Sequence, residues 1–244
     1  MNSNPWSRTD LVDCLDLEAS CARTWSFLWS GRVVIEPRTE GSAWLAPGGS
    51  APLGVGTVLV APAGAGHLRV SVPAGGALRV LFEHPSSSAR PNGRLQLPQR
   101  LDAPEPAADP DRAFTNALDL LDRAGSISMC VSPCVSRAQR LIAETLADDL
   151  DLEEMSRRSG GLEHRYFCRL FQKAVGTPPC RYRMLARIAR ARELLAAGHD
   201  CAETAIDTGF CDHSHFTRSF REVTGTTPST YIRACRSLRT KIAA

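Results

Sequence analysis

The chain has 244 residues, 43% apolar and 23% charged, which excludes a wholly disordered protein and fits two modest folded units or one large one. Its formal charge of +3 is too small to indicate a polyanion partner on its own, but the charge is unevenly spread. Residues 1–135 carry 11 Lys+Arg against 13 Asp+Glu, whereas residues 136–244 carry 18 against 13, and from Met155 to Arg192 ten basic residues face one acid, Glu163. No apolar run approaches the ~18–20 residues that span a bilayer, and the start MNSNPWSRTDLVDCLD lacks a basic segment followed by an apolar core. A cytoplasmic protein with reduced thiols and no membrane partner is expected. Its nine Cys include no CxxC, and Cys130 and Cys134 form a wider CxxxC, so neither a disulfide framework nor a structural zinc site is expected.

In chain order, short apolar runs at Arg32–Glu36, Ser42–Ala46, Val55–Ala61, His67–Val72 and Ala77–Glu83 are separated by Gly/Pro clusters such as Pro47-Gly48-Gly49. They predict strands of a small barrel or sandwich over residues 1–84. Residues 85–135 read as a linker rich in Ser, Pro, Ala and Asp, with one helix at Pro110–Arg123 marked by Phe114, Leu118 and Leu121. From Ser136 the pattern is helical through residue 244. Asp151, with Glu154 three residues on, predicts a capped helix ended by Gly160-Gly161. Asp212 and Gly225 bracket a later one, and Pro228 opens another. The fold class is therefore α+β: a β-rich first domain and an all-α second.

The strongest feature is an internal repeat. HRYFCRLFQKAVGTPPCRY, from His164 to Tyr182, recurs as HSHFTRSFREVTGTTPSTY, from His213 to Tyr231, at a constant offset of 49. His, Phe, Arg, Phe, Gly, Thr, Pro and Tyr recur in register, and Gly160 matches Gly209. Each copy reads as helix, tight Gly turn, helix; in the second these are Cys201–Thr208, Gly209-Phe210 and Asp212–Thr224. That is helix-turn-helix geometry, whose second helix enters a DNA major groove. Phe167 and Phe171, like Phe216 and Phe220, share a buried face, leaving Arg165, Cys168 and Arg169, then Ser214, Thr217 and Arg218, to face outward. Arg169 and Arg218 suit a phosphate or a guanine edge. Between the modules Pro179–Ala197 predicts a helix of roughly 27 Å, near the ~34 Å between successive major grooves. Its Arg181, Arg183, Arg187, Arg190 and Arg192 are expected to add positive charge.

These motifs, GLEHRYFCRLFQKAVGTPP, RMLARIARARELL and AETAIDTGFCDHSHFTRSFREVTGTTPSTYIR, closely resemble the DNA-binding domain of AraC/XylS-type bacterial transcription regulators. The resemblance implies two helix-turn-helix subdomains joined by a linker helix, with both recognition helices in adjacent major grooves of double-stranded promoter DNA. It places Arg165, Cys168 and Arg169 of the first module, and His213, Ser214, Thr217 and Arg218 of the second, at the bases. Three positions depart from the family pattern: Glu163 replaces a Ser cap, where its charge is expected to oppose phosphate, Thr204 replaces an apolar core residue, and Ser156 replaces Ala. The resemblance also implies an effector, a homodimer as a candidate assembly, and RNA polymerase as partner if the protein activates, with Pro110–Arg123 and Ser136–Leu146 as candidate dimer or interdomain elements.

The run Gly41–His67 resembles the cupin-type sensory domain of many such regulators, carried by Gly54, Gly56, Pro62 and His67 among alternating apolar residues. Enzymatic cupins hold metal with clustered His and Glu, whereas His67 stands nearly alone, so no catalytic residue, metal or cofactor is expected. EASCARTWSFLW with GSAWLAPGG and VLVAPAGAGH is similar to the branch that senses reactive chlorine or electrophiles through cysteine, with Cys21 at the sensing position and Cys14, Cys130 or Cys134 as possible seconds. Buried apolar packing is the alternative for most of these thiols. A second class, DNA-alkylation repair by a cysteine methyl acceptor fused to an AraC-like domain, requires zinc-holding Cys with a CxxC, which this chain lacks.

Overall fold

The computed structural model describes residues 6–9, 11–28, 31–46, 49–61, 67–84, 94–96, 98–103, 108–125, 128–130 and 132–242, with backbone alone at positions 8, 45, 46, 49, 94–96, 128–130 and 236–242. The first half is a two-sheet antiparallel sandwich. One sheet orders β1 (Trp6–Arg8), β2 (Val12–Glu18), β9 (Ala77–Glu83), β4 (Val33–Pro37), β7 (Thr57–Ala61) and β11 (Gln99–Asp102). The other orders β3 (Arg23–Leu28), β8 (His67–Val72), β5 (Ser42–Ala46) and β6 (Gly49–Leu53), and β10 (Arg94–Gln96) pairs separately with β12 (Ser128–Cys130). Strand periodicity sets the core. Leu68, Val70 and Val72 of β8 point inward, meeting Leu15 and Leu17, Val33 and Ile35, Leu59, and Leu78 and Val80 of the larger sheet.

The alternate residues of that larger sheet, Val12, Cys14, Val34, Val58, Val60 and Leu81, are also buried, under Ala113, Phe114, Ala117 and Leu121 of α1 (Pro110–Ala124). The helix expected at Pro110–Arg123 is therefore present, with Asp109 accepting from the Arg112 N–H as its cap. The segment read as a linker does more than connect. β11 pairs with β7 from Gln99↔Val60 to Asp102↔Thr57, and α1 roofs the sheet.

Among the described residues seven helices follow: α2 (Pro133–Glu144), α3 (Leu152–Gly160), α4 (His164–Val175), α5 (Pro179–Ala197), α6 (Cys201–Asp207), α7 (His213–Thr224) and α8 (Pro228–Ile242). The first module has its own core, in which Phe167 and Phe171 of α4 meet Val135, Ile142 and Met155, with Tyr182 edge-on to Phe171 at 5.4 Å. The second module shares a core with the sandwich. Phe216, Phe220 and Tyr231 join Trp6, Phe27 and Phe82 in one buried cluster. Trp6 stacks on Phe82 at 5.8 Å and meets the Tyr231 edge at 5.1 Å.

A polar group lies in this seam. Asp13 of β2 is 8% exposed; its carboxylate accepts from the Tyr231 hydroxyl at 3.2 Å and faces Arg192 of α5 at 3.5 Å and His84 at 3.3 Å. The Arg192 guanidinium sits 4.0 Å from the Phe82 ring centroid and 4.6 Å from that of Trp6. A buried charge is tolerable only when paired and hydrogen-bonded, and this arrangement supplies both.

Candidate nucleic-acid interface

Each module is built by caps and left-handed turns. Asp151 accepts from the Glu154 N–H to start α3. Glu154 does not return the bond as a capping box requires; its carboxylate pairs with Arg157 one turn on. Gly161 (φ 69°) ends α3, and Glu163 caps α4 by accepting from the Arg165 and Tyr166 N–H groups at 2.9 Å. Those two bonds hold the Glu163 carboxyl below its usual range, so a Glu fulfils the capping role of the Ser it replaces. Ser156 is likewise accommodated, its hydroxyl donating to the Leu162 carbonyl at 2.7 Å. The Thr204 hydroxyl, by contrast, is buried with no hydrogen-bond partner among the described residues.

In the second module Asp200 caps α6 and Asp212 caps α7 by accepting from the His215 N–H at 2.6 Å. Gly209 (φ 78°) makes the turn, where a Cβ would lie 2.7 Å from the Leu146 carbonyl oxygen, so no side chain fits. The left-handed residue falls at Gly161 in the first module, one position later in the repeat register than Gly209. The two turns are thus similar but not superposable residue for residue.

α4 and α7 bury Phe167, Phe171 and Val175, and Phe216, Ser219, Phe220 and Thr224, respectively. Opposite those faces, Arg165 and Arg169 on α4, and Ser214 and Arg218 on α7, are exposed, as is His213 at the first turn. Arg165, Arg169 and Arg218 form no ion pair with a described residue. Cys168 and Thr217, at equivalent repeat positions, are half-buried at the edge of the face, and the Thr217 hydroxyl is buried. The same faces expose Tyr166, Gln172 and Lys173, and His215 and Arg221, which the repeat alone did not single out. Helical phase against Phe167/Phe171 and Phe216/Phe220 would have found them. Thiol–imidazole contacts also lie here: Cys201 Sγ is 3.5 Å from His213 Nε2, and Cys211 Sγ is 3.3 Å from His215 Nδ1.

The linker-helix arginines do not form a free basic stripe. Arg183 donates to the Leu150 carbonyl, and Arg187 to those of Leu146 and Asp148, stitching α5 to the chain that enters the first module. Arg181 pairs with Glu222 at 2.8 Å, Arg190 with Glu193 at 2.9 Å, and Arg192 with Asp13. Three of the five, Arg181, Arg190 and Arg192, are thus offset by an acid, whereas Arg183 and Arg187 keep their positive charge while donating to neutral carbonyls.

The candidate sensor thiols fall in separate environments. Cys14 is buried under α1, and burial pushes its thiol up to about 11. Cys134 is buried in the first module's core, and burial raises its pKa as well. Both settings oppose thiolate reactivity. Cys21 is exposed between β2 and β3. The Cys130 side chain lies outside the described residues. Pro62, one carrier of the cupin resemblance, lies outside them too. His67 is half-buried at the start of β8, and burial pushes its pKa down to about 4. Among the described residues no three His, Cys, Asp or Glu are grouped to hold a metal, and no helix is long and apolar enough to cross a membrane.

Residues 155–234 match the family model described as a helix-turn-helix domain. No curated protein matches the chain. Among solved structures, ToxT from Vibrio cholerae O395 is similar over 92% of this chain and 98% of its own, with TM-score 0.54 and 10% identity, a likeness of fold. The C-terminal domain of AraT, a response regulator from Geobacillus stearothermophilus, is 26% identical over 42% of this chain and 86% of its own, with TM-score 0.41. The DNA-binding domain of AdpA, solved with a target DNA, is 25% identical over 45% of this chain and 98% of its own, with TM-score 0.42. Residues 155–234 are thus similar to a helix-turn-helix domain, and the chain as a whole has the fold of ToxT, a two-sheet sandwich followed by paired helical modules.

Proposed function

We propose that this protein is a sequence-specific transcription regulator that sets α4 and α7 into adjacent major grooves of promoter DNA. Arg165 and Arg169 then face one groove with Cys168 at its edge, and His213, Ser214 and Arg218 the next with the Thr217 side chain at its edge. The observation that carries the reading is the repeat realised in three dimensions: two modules at one offset, each leaving an arginine, Arg169 or Arg218, exposed and without an ion pair to a described residue, opposite its buried Phe pair. Arginine in that position suits a guanine edge or a phosphate.

The N-terminal sandwich is the sensory part. Its effector, a small molecule or an oxidant or electrophile, changes how the sandwich restrains or dimerises the DNA-binding half, and so promoter occupancy or contact with RNA polymerase. Of the described candidate thiols, Cys21 is the one whose exposure suits covalent sensing. The protein acts in the cytoplasm. The test begins with an operator selected from a random duplex pool. Arg218→Ala should weaken binding to it by about 1–3 kcal/mol and relax preference at one position, read by fluorescence anisotropy. Unchanged affinity and preference would remove the second module from the interface.

A further inference from the structure

The offset that relates the two modules also relates the points at which the sandwich touches them. Val175 and Gly176 close α4; Thr224 and Gly225, 49 residues on, close α7. The last carbonyls of a helix lack intrahelical partners and carry the negative end of its dipole, so they attract donors and cations. The sandwich supplies donors at the same position in both modules. His67 Nδ1 of β8 lies 3.3 Å from the Val175 carbonyl oxygen, and Trp6 Nε1 of β1 donates to the Thr224 carbonyl at 2.9 Å.

Further contacts flank each anchor. Arg69, next but one on β8, reaches the Gly176 carbonyl at 3.5 Å. Arg23 of β3 donates to the Glu222 carbonyl at 3.2 Å, with its guanidinium 4.0 Å above the Trp25 ring. A Cβ built on Gly225 would lie 3.6 Å from Leu17 and 3.7 Å from Trp25, so the end of α7 rests on the sandwich. β1 belongs to the larger sheet and β8 to the smaller. One ring donor from each sheet, buried Trp6 and half-buried His67, therefore holds the equivalent carbonyl of a different recognition helix.

We propose that the sandwich is a caliper: by holding Val175 through His67 and Thr224 through Trp6, its two sheets fix the separation of the two recognition helices. The inference deepens the DNA-binding reading and rests on it.

Full-length protein is tested against duplex libraries in which the two selected half-sites are separated by the selected spacing or by one base pair more or less. His67→Phe and Trp6→Phe keep a ring and remove its anchoring donor; His67→Gln keeps a donor. The parent should favour one spacing. Each Phe variant, checked for cooperative unfolding, should lose that preference by about 2- to 10-fold, the range one neutral hydrogen bond contributes to an equilibrium constant. His67→Gln should retain it. Phe variants with the parent's spacing preference overturn the caliper and leave DNA binding standing. A parent that selects no duplex overturns the DNA-binding reading and the caliper with it.

Discussion

Asp13 shows how one residue links the halves of this molecule. It is buried in β2 beside the core residues Val12, Cys14, Leu15 and Leu17, and its partners Arg192 and Tyr231 lie far along the chain. Truncating one member of a buried ion pair leaves the other charged and desolvated, at a cost of about 3–5 kcal/mol. Asp13→Ala should therefore lower stability by about that amount, seen as a reduced unfolding midpoint in urea, whereas an equal truncation at exposed Glu153 should fall within about 0.5 kcal/mol. A midpoint unchanged in Asp13→Ala would mean that Arg192 finds compensation elsewhere. Glu163 teaches a related lesson. Its charge looked like an obstacle to DNA, but the carboxylate is engaged by two backbone N–H groups as a helix cap.

At the scale of elements, the contact between β8 and α4 carries a pH dependence. Burial first, with Arg69 on β8 and Arg181 on α5 facing the ring, keeps His67 neutral, its pKa pushed down to about 4. The unfolded chain binds that proton near pH 6.5, so between about pH 6.5 and 4 the unfolded state holds more protons than the folded one. Stability from this site is full above that window and is lost as pH falls through it. The melting temperature of His67→Phe should accordingly fall less between pH 7 and pH 5 than the parent's. Equal slopes would contradict the buried, neutral assignment.

The helices were legible because their punctuation is local: Asp151, Asp212, Gly225 and Pro228 stand where caps and starts fall. The strands before residue 30 were not read. Val12–Glu18 mixes three acids into an apolar run, and the reason for Asp13 at a buried position is a partner nearly the length of the chain away. β11 was hidden likewise: Gln99–Asp102 has one strongly apolar residue, Leu101, and is a strand because β7 offers an edge. The roles of the linker-helix arginines were also invisible, since a sequence shows their charge but not the carbonyls they reach.

At the scale of the whole molecule, the way the cores divide matters more than a division into two domains. The first module has a core of its own, whereas the second is continuous with the sandwich interior through Trp6, Phe82, Phe216, Phe220 and Tyr231. The sandwich is thus joined to α7 by packed side chains, and to the first module by Leu28 and the polar contacts of β8. What the repeat predicted, and the fold presents, is a pair of helices, α4 and α7, with matched exposed arginines opposite their buried Phe pairs. The most direct test of that central claim is guanine-methylation interference on the selected operator. Two clusters should appear about 10 base pairs apart on one face of the duplex, one lost in Arg169→Ala and the other in Arg218→Ala. A single cluster, or two that respond to the same substitution, would contradict the account.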